Sequence, residues 1–264
     1  MSKNKLAKFA DMAEYPNVLQ YTFEQVADGG FPLRGRWGAD YFRNDGPIVL
    51  ELGCGRGEYT VGLARAGRHK NYIGIDIKGA RMWTGATEAL AEGLTNVAFL
   101  RTHIELLTYF FAPGEVSEIW ITFPDPQMKK VNKRLTSTRF MQRYAEVMRP
   151  GGLIHLKCDS NFLFTYTEAM VEANALPIVA RTRDLYHETW AGQPEPDASA
   201  ADRAQLTAIR TAYERQWMAR GIDIKYLCFR LTPPAAWTEP DVEIPLDTYR
   251  SYGRDKNSSL DTHI

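Results

Sequence analysis

Seven short apolar runs, each bounded by turn residues and most of them separated by stretches with helical periodicity, constrain this 264-residue chain more than any other feature. The runs are Pro47 to Leu52, Asn71 to Ile77, Val97 to Arg101, Ser117 to Phe123, Leu153 to Cys158, Ile178 to Arg183 and Ile224 to Leu231. Several lack the alternation of a half-exposed strand and read as strands buried on both faces. Between them, Glu58 to Ala66, Ala80 to Glu92, Thr138 to Met148, Phe162 to Ala173 and Leu206 to Ala219 carry helical patterning. The alternation predicts an α/β fold, with a mostly parallel seven-stranded sheet built from right-handed crossovers and helices on both faces. Pro150, Gly151 and Gly152 are expected to stop the preceding helix and turn the chain into the fifth strand.

At this length, with 44% apolar residues, one main core with attachments is expected, spanning residues 46–232. Residues 1–45, basic and aromatic by turns, read as an N-terminal extension that packs on the domain or reaches a partner. Ala191 to Ala204 is small, polar and proline-containing, the composition of a mobile loop. Residues 233–264 form a tail whose end, Ser251 to Ile264, is polar. No apolar run is long enough for a bilayer, and Met1 to Ala13 carries Lys3, Lys5 and Lys8 without the apolar stretch of a secretory signal. Cytoplasmic residence with no membrane partner is the expectation. The three cysteines, Cys54, Cys158 and Cys228, have neither disulfide-framework nor zinc-ribbon spacing, and no His/Cys cluster has ligand spacing, so no metal is expected. Basic and acidic residues number 32 each, so a nucleic-acid site must be a local patch.

Glu51-Leu-Gly53-Cys-Gly55-Arg-Gly57 follows the first strand and opens the first helix, where backbone must approach a ligand that side chains would obstruct. Glycines also make tight strand-to-helix turns without a ligand. Asp76, 23 residues after Gly53, ends the second strand, placed to accept hydrogen bonds from ribose hydroxyls. Dinucleotide binding is the rival reading, but its Gly-x-Gly-x-x-Gly pattern would require glycine where Glu58 stands. A Gly-x-Gly-x-Gly turn preceded by an acid resembles instead the first motif of class I methyltransferases, and Glu51 suits the cationic methionine end of their cofactor, S-adenosylmethionine, better than a pyrophosphate, by the sign of its charge.

Two prolines stiffen the backbone around Asp125 in Phe123-Pro-Asp-Pro126, at the close of the fourth strand. All three strand ends can then face one cleft, although Asp125 read alone also fits a turn cap. Next comes a basic cluster, Lys129, Lys130, Lys133 and Arg134, suited to hold phosphate while Asp125 meets a base. A charge run of this kind is also found on ordinary solvated faces. Asp159 follows the fifth strand at the same edge. Thr211-Ala-Tyr213-Glu214 lies in a predicted helix and by itself reads as half-exposed surface.

These residues resemble the bacterial tRNA (guanine-N7-)-methyltransferases, which modify guanosine 46 in the variable loop. The resemblance covers roughly 47–231, with Lys3 to Phe9 similar to the N-terminus of one branch, and its most specific part is Phe123 to Pro126 followed by Lys129 and Lys133-Arg134. It implies a Rossmann-like class I methyltransferase fold, S-adenosylmethionine as cofactor with S-adenosylhomocysteine as product, and tRNA as partner, the enzyme being a monomer or homodimer. Glu51, Gly53, Gly55, Asp76 and His103 would surround the cofactor, with Asp125 both lining that site and serving as catalytic residue. Lys129, Asp159, Thr211, Tyr213 and Glu214 match substrate positions, and Val131 to Thr136, including Lys133 and Arg134, match the RNA-contacting stretch. This chain departs from the family at His103, usually Asp or Asn, at Gln127, usually Trp, and at Val131-Asn132, commonly Arg-His. A small-molecule methyltransferase would share the glycine loop but leave the basic run unexplained. A non-catalytic RNA-binding protein would keep the cations without needing the loop.

Overall fold

A computed structural model describes residues 3–187 and 203–249. In chain order it contains α1 (Lys3–Glu14), β1 (Val18–Gln20), α2 (Phe23–Gly29), β2 (Ile48–Leu52), α3 (Glu58–Ala66), β3 (Asn71–Asp76), α4 (Gly79–Ala91), β4 (Val97–Arg101) and α5 (Leu107–Phe110). It continues with β5 (Val116–Thr122), α6 (Thr138–Val147), β6 (Met148–Cys158), α7 (Asn161–Ala173), β7 (Ile178–Thr182), α8 (Arg203–Ala208), α9 (Ala212–Met218) and β8 (Lys225–Arg230). All the strands join one sheet in the order β1-β4-β3-β2-β5-β6-β8-β7. Only β8 runs antiparallel to its neighbours, β6 and β7. From β2 the chain winds outward through β3 and β4, and then returns to β5 on the other side. The crevice between the carboxyl ends of β2 and β5 is therefore the topological switch point, where open sheets of this kind bind ligands.

The sheet is covered on both faces, which is why its strands show so little alternation. Leu50 and Leu52 of β2 enter one apolar cluster, with Trp37, Phe110, Phe140, Tyr144 and Phe164. Val49 enters the other, with Tyr59 and Val61 of α3, Met82 and Ala86 of α4 and Trp217 of α9. Every residue of β5 is buried.

Three expectations are revised. The sheet has an eighth strand, because Val18–Gln20 of the N-terminal segment pairs in parallel with Phe99–Arg101 of β4. Three residues are too few to display a period. The same segment packs α1 on α4, where Met12 is fully buried and the Trp83 indole N–H donates to Asp11 at 2.8 Å. Second, β6 begins at Met148 and runs through Pro150-Gly151-Gly152. The glycines make a bulge, with positive φ at Gly151 and a register shift against β5, where a turn was expected. Third, the helix expected over Leu206 to Ala219 is two. Thr211 caps α9 by accepting the Glu214 N–H at 3.2 Å, and an N-cap requires non-helical backbone at that point. Most of the loop expected over 191–204, and the tail beyond Tyr249, lie outside the described residues. Among the described residues no helix is long and apolar enough to cross a membrane.

Candidate active site

The glycine loop leaves β2 with Gly53 and Gly55 at φ 76° and 55°, a region open to glycine at little cost. A Cβ placed on Gly53 would meet no atom within 4 Å, and one on Gly55 only the Gly53 carbonyl at 3.9 Å. This backbone faces open space at the switch point, where a ligand can approach it. Gly57 serves packing instead, since a Cβ there would lie 2.7 Å from the Phe99 ring. Asp76 ties the loop to the next turn: one carboxylate oxygen accepts the Gly55 N–H at 2.9 Å and the other the Lys78 N–H at 2.8 Å. Each oxygen retains a lone pair for a hydroxyl donor. His103 is exposed just beyond β4, which pairs with β3.

Glu51 lies beneath the loop, 2% exposed, accepting hydrogen bonds from the hydroxyls of Thr122, at 2.6 Å, and Thr60. Burial pushes its carboxyl up to about 7, against the opposing effect of those hydroxyls and with a smaller upward push from Asp76. A cation bound above would favour the ionised form. Glu51, the open glycines and Asp76 therefore fit S-adenosylmethionine, whose ammonium and ribose ask for an anion and an acceptor.

The Phe123–Gln127 loop closes β5 in a strained conformation, with the non-glycine residues Phe123 and Gln127 at φ 48° and 47° on either side of Pro124-Asp125-Pro126. Something must hold it. The Phe123 N–H donates to the Lys157 carbonyl at 2.8 Å, tying the loop to β6, and the Gln127 N–H donates to Asp125 Oδ1 at 3.1 Å. Arg134, expected at a phosphate, is only 4% exposed and serves this loop from below. Its guanidinium donates to the carbonyls of Pro126 at 3.2 Å, Gln127 at 3.1 Å and Met128 at 3.5 Å. It also lies 3.9 Å from the Tyr166 ring centroid and 4.8 Å from that of Phe162. Cationic residues next to each other in sequence thus part company: Lys129 and Lys133 are exposed, Lys133 only 3.7 Å from Glu105, while Arg134 is structural.

The remaining expected substrate residues are also divided. Asp159 is fully buried beneath Tyr249, whose hydroxyl donates to its Oδ2 at 3.0 Å. Glu214 is fully buried as well, 2.8 Å from the ammonium of Lys157. The half-exposed reading of this helix fails there, although Tyr213 beside it is 48% exposed. Thr211 is spent on capping α9. Sequence reasoning passed over Lys157 and Tyr249, since a lysine inside an apolar strand and a tyrosine in a tail have no local pattern to mark them. Among the described residues Asp184, His187 and Asp223 bring ligand-type atoms within 4.8 Å of one another, and Asp184 already accepts the backbone N–H groups of Tyr186 and His187.

Residues 45–227 match the family described as "Putative methyltransferase". The tRNA (guanine-N(7)-)-methyltransferase of Bacteroides thetaiotaomicron is 57% identical over 262 residues, 99% of each chain. That of Porphyromonas gingivalis is 58% identical over 250 residues, covering 94% of this chain and 98% of its own. The crystal structure of the 16S rRNA methyltransferase KamB superposes on 71% of this chain and 88% of its own with a TM-score of 0.52, at 17% identity, a likeness of fold alone.

Proposed function

The chain belongs to the tRNA (guanine-N(7)-)-methyltransferase family, and from that premise we propose that it transfers the methyl group of S-adenosylmethionine to N7 of guanosine 46 in the variable loop of tRNA. The observation that carries the chemistry is the convergence at one sheet edge of the open glycine backbone, Asp76 and the strained loop that presents Asp125. S-adenosylmethionine supplies an electrophilic methyl group on a sulfonium. Glu51, Gly53, Gly55, Asp76 and His103 would hold it.

N7 of guanine has an in-plane lone pair and no proton, so the protein needs no base to expose the nucleophile. Its residues position two partners and stabilise charge. Asp125, exposed on its stiffened loop, accepts hydrogen bonds from the N1 and N2 groups of guanine and offsets the positive charge that develops on the ring. Lys129 and Lys133, exposed in the segment that follows the loop, hold phosphates and so offset the cost of unstacking a tertiary-paired base, about a few kcal/mol. Asp159 lies behind Tyr249, whose hydroxyl donates to its carboxylate.

The test is methyl transfer from labelled cofactor to unmodified tRNA, followed by mapping of the modified nucleoside. N7-methylguanosine at position 46 is the expected product. Methylation confined to small molecules, or tRNA binding without cofactor affinity, would overturn the reading.

Two further results are expected. Lys129→Ala and Lys133→Ala each reduce the slope of log affinity for tRNA against log salt by about one, whereas Arg134→Ala leaves it unchanged. Cofactor affinity should also depend on pH through Glu51. Its folded-state value lies above the unfolded one, so the folded protein holds the proton more tightly, and ionisation lowers stability as pH rises from about 4.5 to about 7. A cationic ligand reverses that cost. The dissociation constant for S-adenosylmethionine therefore tightens as pH rises toward about 7 and then levels, and Glu51→Gln flattens the profile; a pH-independent wild type would remove Glu51 from the site.

A further inference from the structure

Lys157 is fully buried on β6, where burial pulls its pKa down and the Glu214 carboxylate, 2.8 Å away, favours the ammonium form. An ammonium has three N–H donors, and here all three are taken by one segment: Glu214 Oε1 at 2.8 Å, the Leu206 carbonyl at 2.6 Å and the Ile209 carbonyl at 3.1 Å. That segment is α8, the break after it and α9. The helices have six and seven residues, too short to persist without tertiary support. Tyr186 completes the arrangement by donating its hydroxyl to the same Glu214 oxygen at 2.6 Å.

The segment so held is tied at both ends to the sheet edge that carries the glycine loop and Asp159. At its start the Ala212 N–H donates to Glu58 Oε2 at 3.0 Å, and Glu58 opens α3 directly after the glycine loop. At its end the Trp217 ring packs edge-on against Tyr249, 5.5 Å between centroids, and Tyr249 caps the Asp159 carboxylate. Between these two anchors Tyr213 faces solvent.

We infer that Lys157 is a positioning residue for tRNA methylation, pinning α8 and α9 as the substrate-facing wall, and that Glu214 acts through Lys157 and not on the RNA. The inference rests on the proposed activity. A buried ion pair is weak evidence for a stability role, because apolar residues of similar size often pack there equally well. What apolar residues cannot supply is direction. Three hydrogen bonds from one fixed nitrogen hold the register of the segment across the break that the Thr211 cap makes between its helices.

The experiment compares wild type, Lys157→Met and the double variant Lys157→Met/Glu214→Met, reading KM for tRNA, kcat, the S-adenosylmethionine dissociation constant and thermal midpoint. Lys157→Met is expected to raise the tRNA KM about tenfold with cofactor affinity little changed, the pattern of lost binding to a misplaced wall. The double variant, freed of the uncompensated carboxylate, should recover the thermal midpoint while its KM stays high. A wild-type KM in the folded double variant would overturn the inference, as would a KM that recovers in step with stability. If neither variant folds, the pair is a stability element and the inference is again overturned. Failure of wild type to form N7-methylguanosine would instead count against the activity itself, before any variant is compared.

Discussion

Asp125→Ala is expected to lower kcat for tRNA methylation by about 10²- to 10³-fold, the usual cost of removing one oriented group that stabilises transition-state charge. Thermal midpoint and S-adenosylmethionine affinity should stay near wild type. The side chain is exposed, and the hydrogen bond it accepts from the Gln127 N–H is local to a turn already stiffened by Pro124 and Pro126. Asp125→Asn separates charge from shape. It keeps an acceptor oxygen but loses the negative charge, so it should retain more turnover than alanine and much less than wild type. Single-turnover kinetics with saturating tRNA would measure both. Full turnover in the alanine variant would reduce Asp125 to a turn residue.

Arg134→Ala should be the most destabilising substitution in the basic cluster, at roughly 3 kcal/mol, because it strips partners from buried carbonyls and removes a cation held between aromatic rings. Turnover should fall with it. The guanidinium holds the carbonyls of Pro126 and Gln127, and without that hold the positive φ at Gln127 would relax and carry Asp125 away from its position. Arg134→Lys should rescue little, since one ammonium cannot reproduce a planar fork stacked on Tyr166. Denaturant unfolding and kcat measured together would decide the matter. A variant of unchanged stability with a flatter salt dependence of tRNA binding would return Arg134 to the phosphate contacts.

The tail takes part in the same support. Glu239 accepts hydrogen bonds from the hydroxyls of Thr138, at 2.6 Å, and Tyr166, and Asp247 accepts the Phe162 N–H at 3.1 Å beside its bond with Ser160. The segment after β8 thus steadies the helices on which the Asp125 loop rests. Its composition carries no sign of this, because each contact depends on one carboxylate reaching a partner far away in the chain.

What the sequence determined by itself was everything recorded in local periodicity or local backbone chemistry. Strands buried on both faces lose their alternation, glycines mark positive φ, and prolines mark a fixed backbone, so the seven longer strands, the Gly53 loop, Asp76 and the Asp125 loop could all be read in one dimension. Tertiary structure alone decided the fate of charges that look alike along the chain. Lys133 and Arg134 are neighbours, yet one meets solvent and the other lies beneath a loop, because Tyr166 and Phe162 of α7 happen to face the second. Glu214 reads as surface until Lys157 is found opposite it, and Asp159 reads as open until Tyr249 covers it. Periodicity reports which face of an element is buried. Whether a buried charge finds its counterpart depends on where a distant element lands, and no local pattern encodes that.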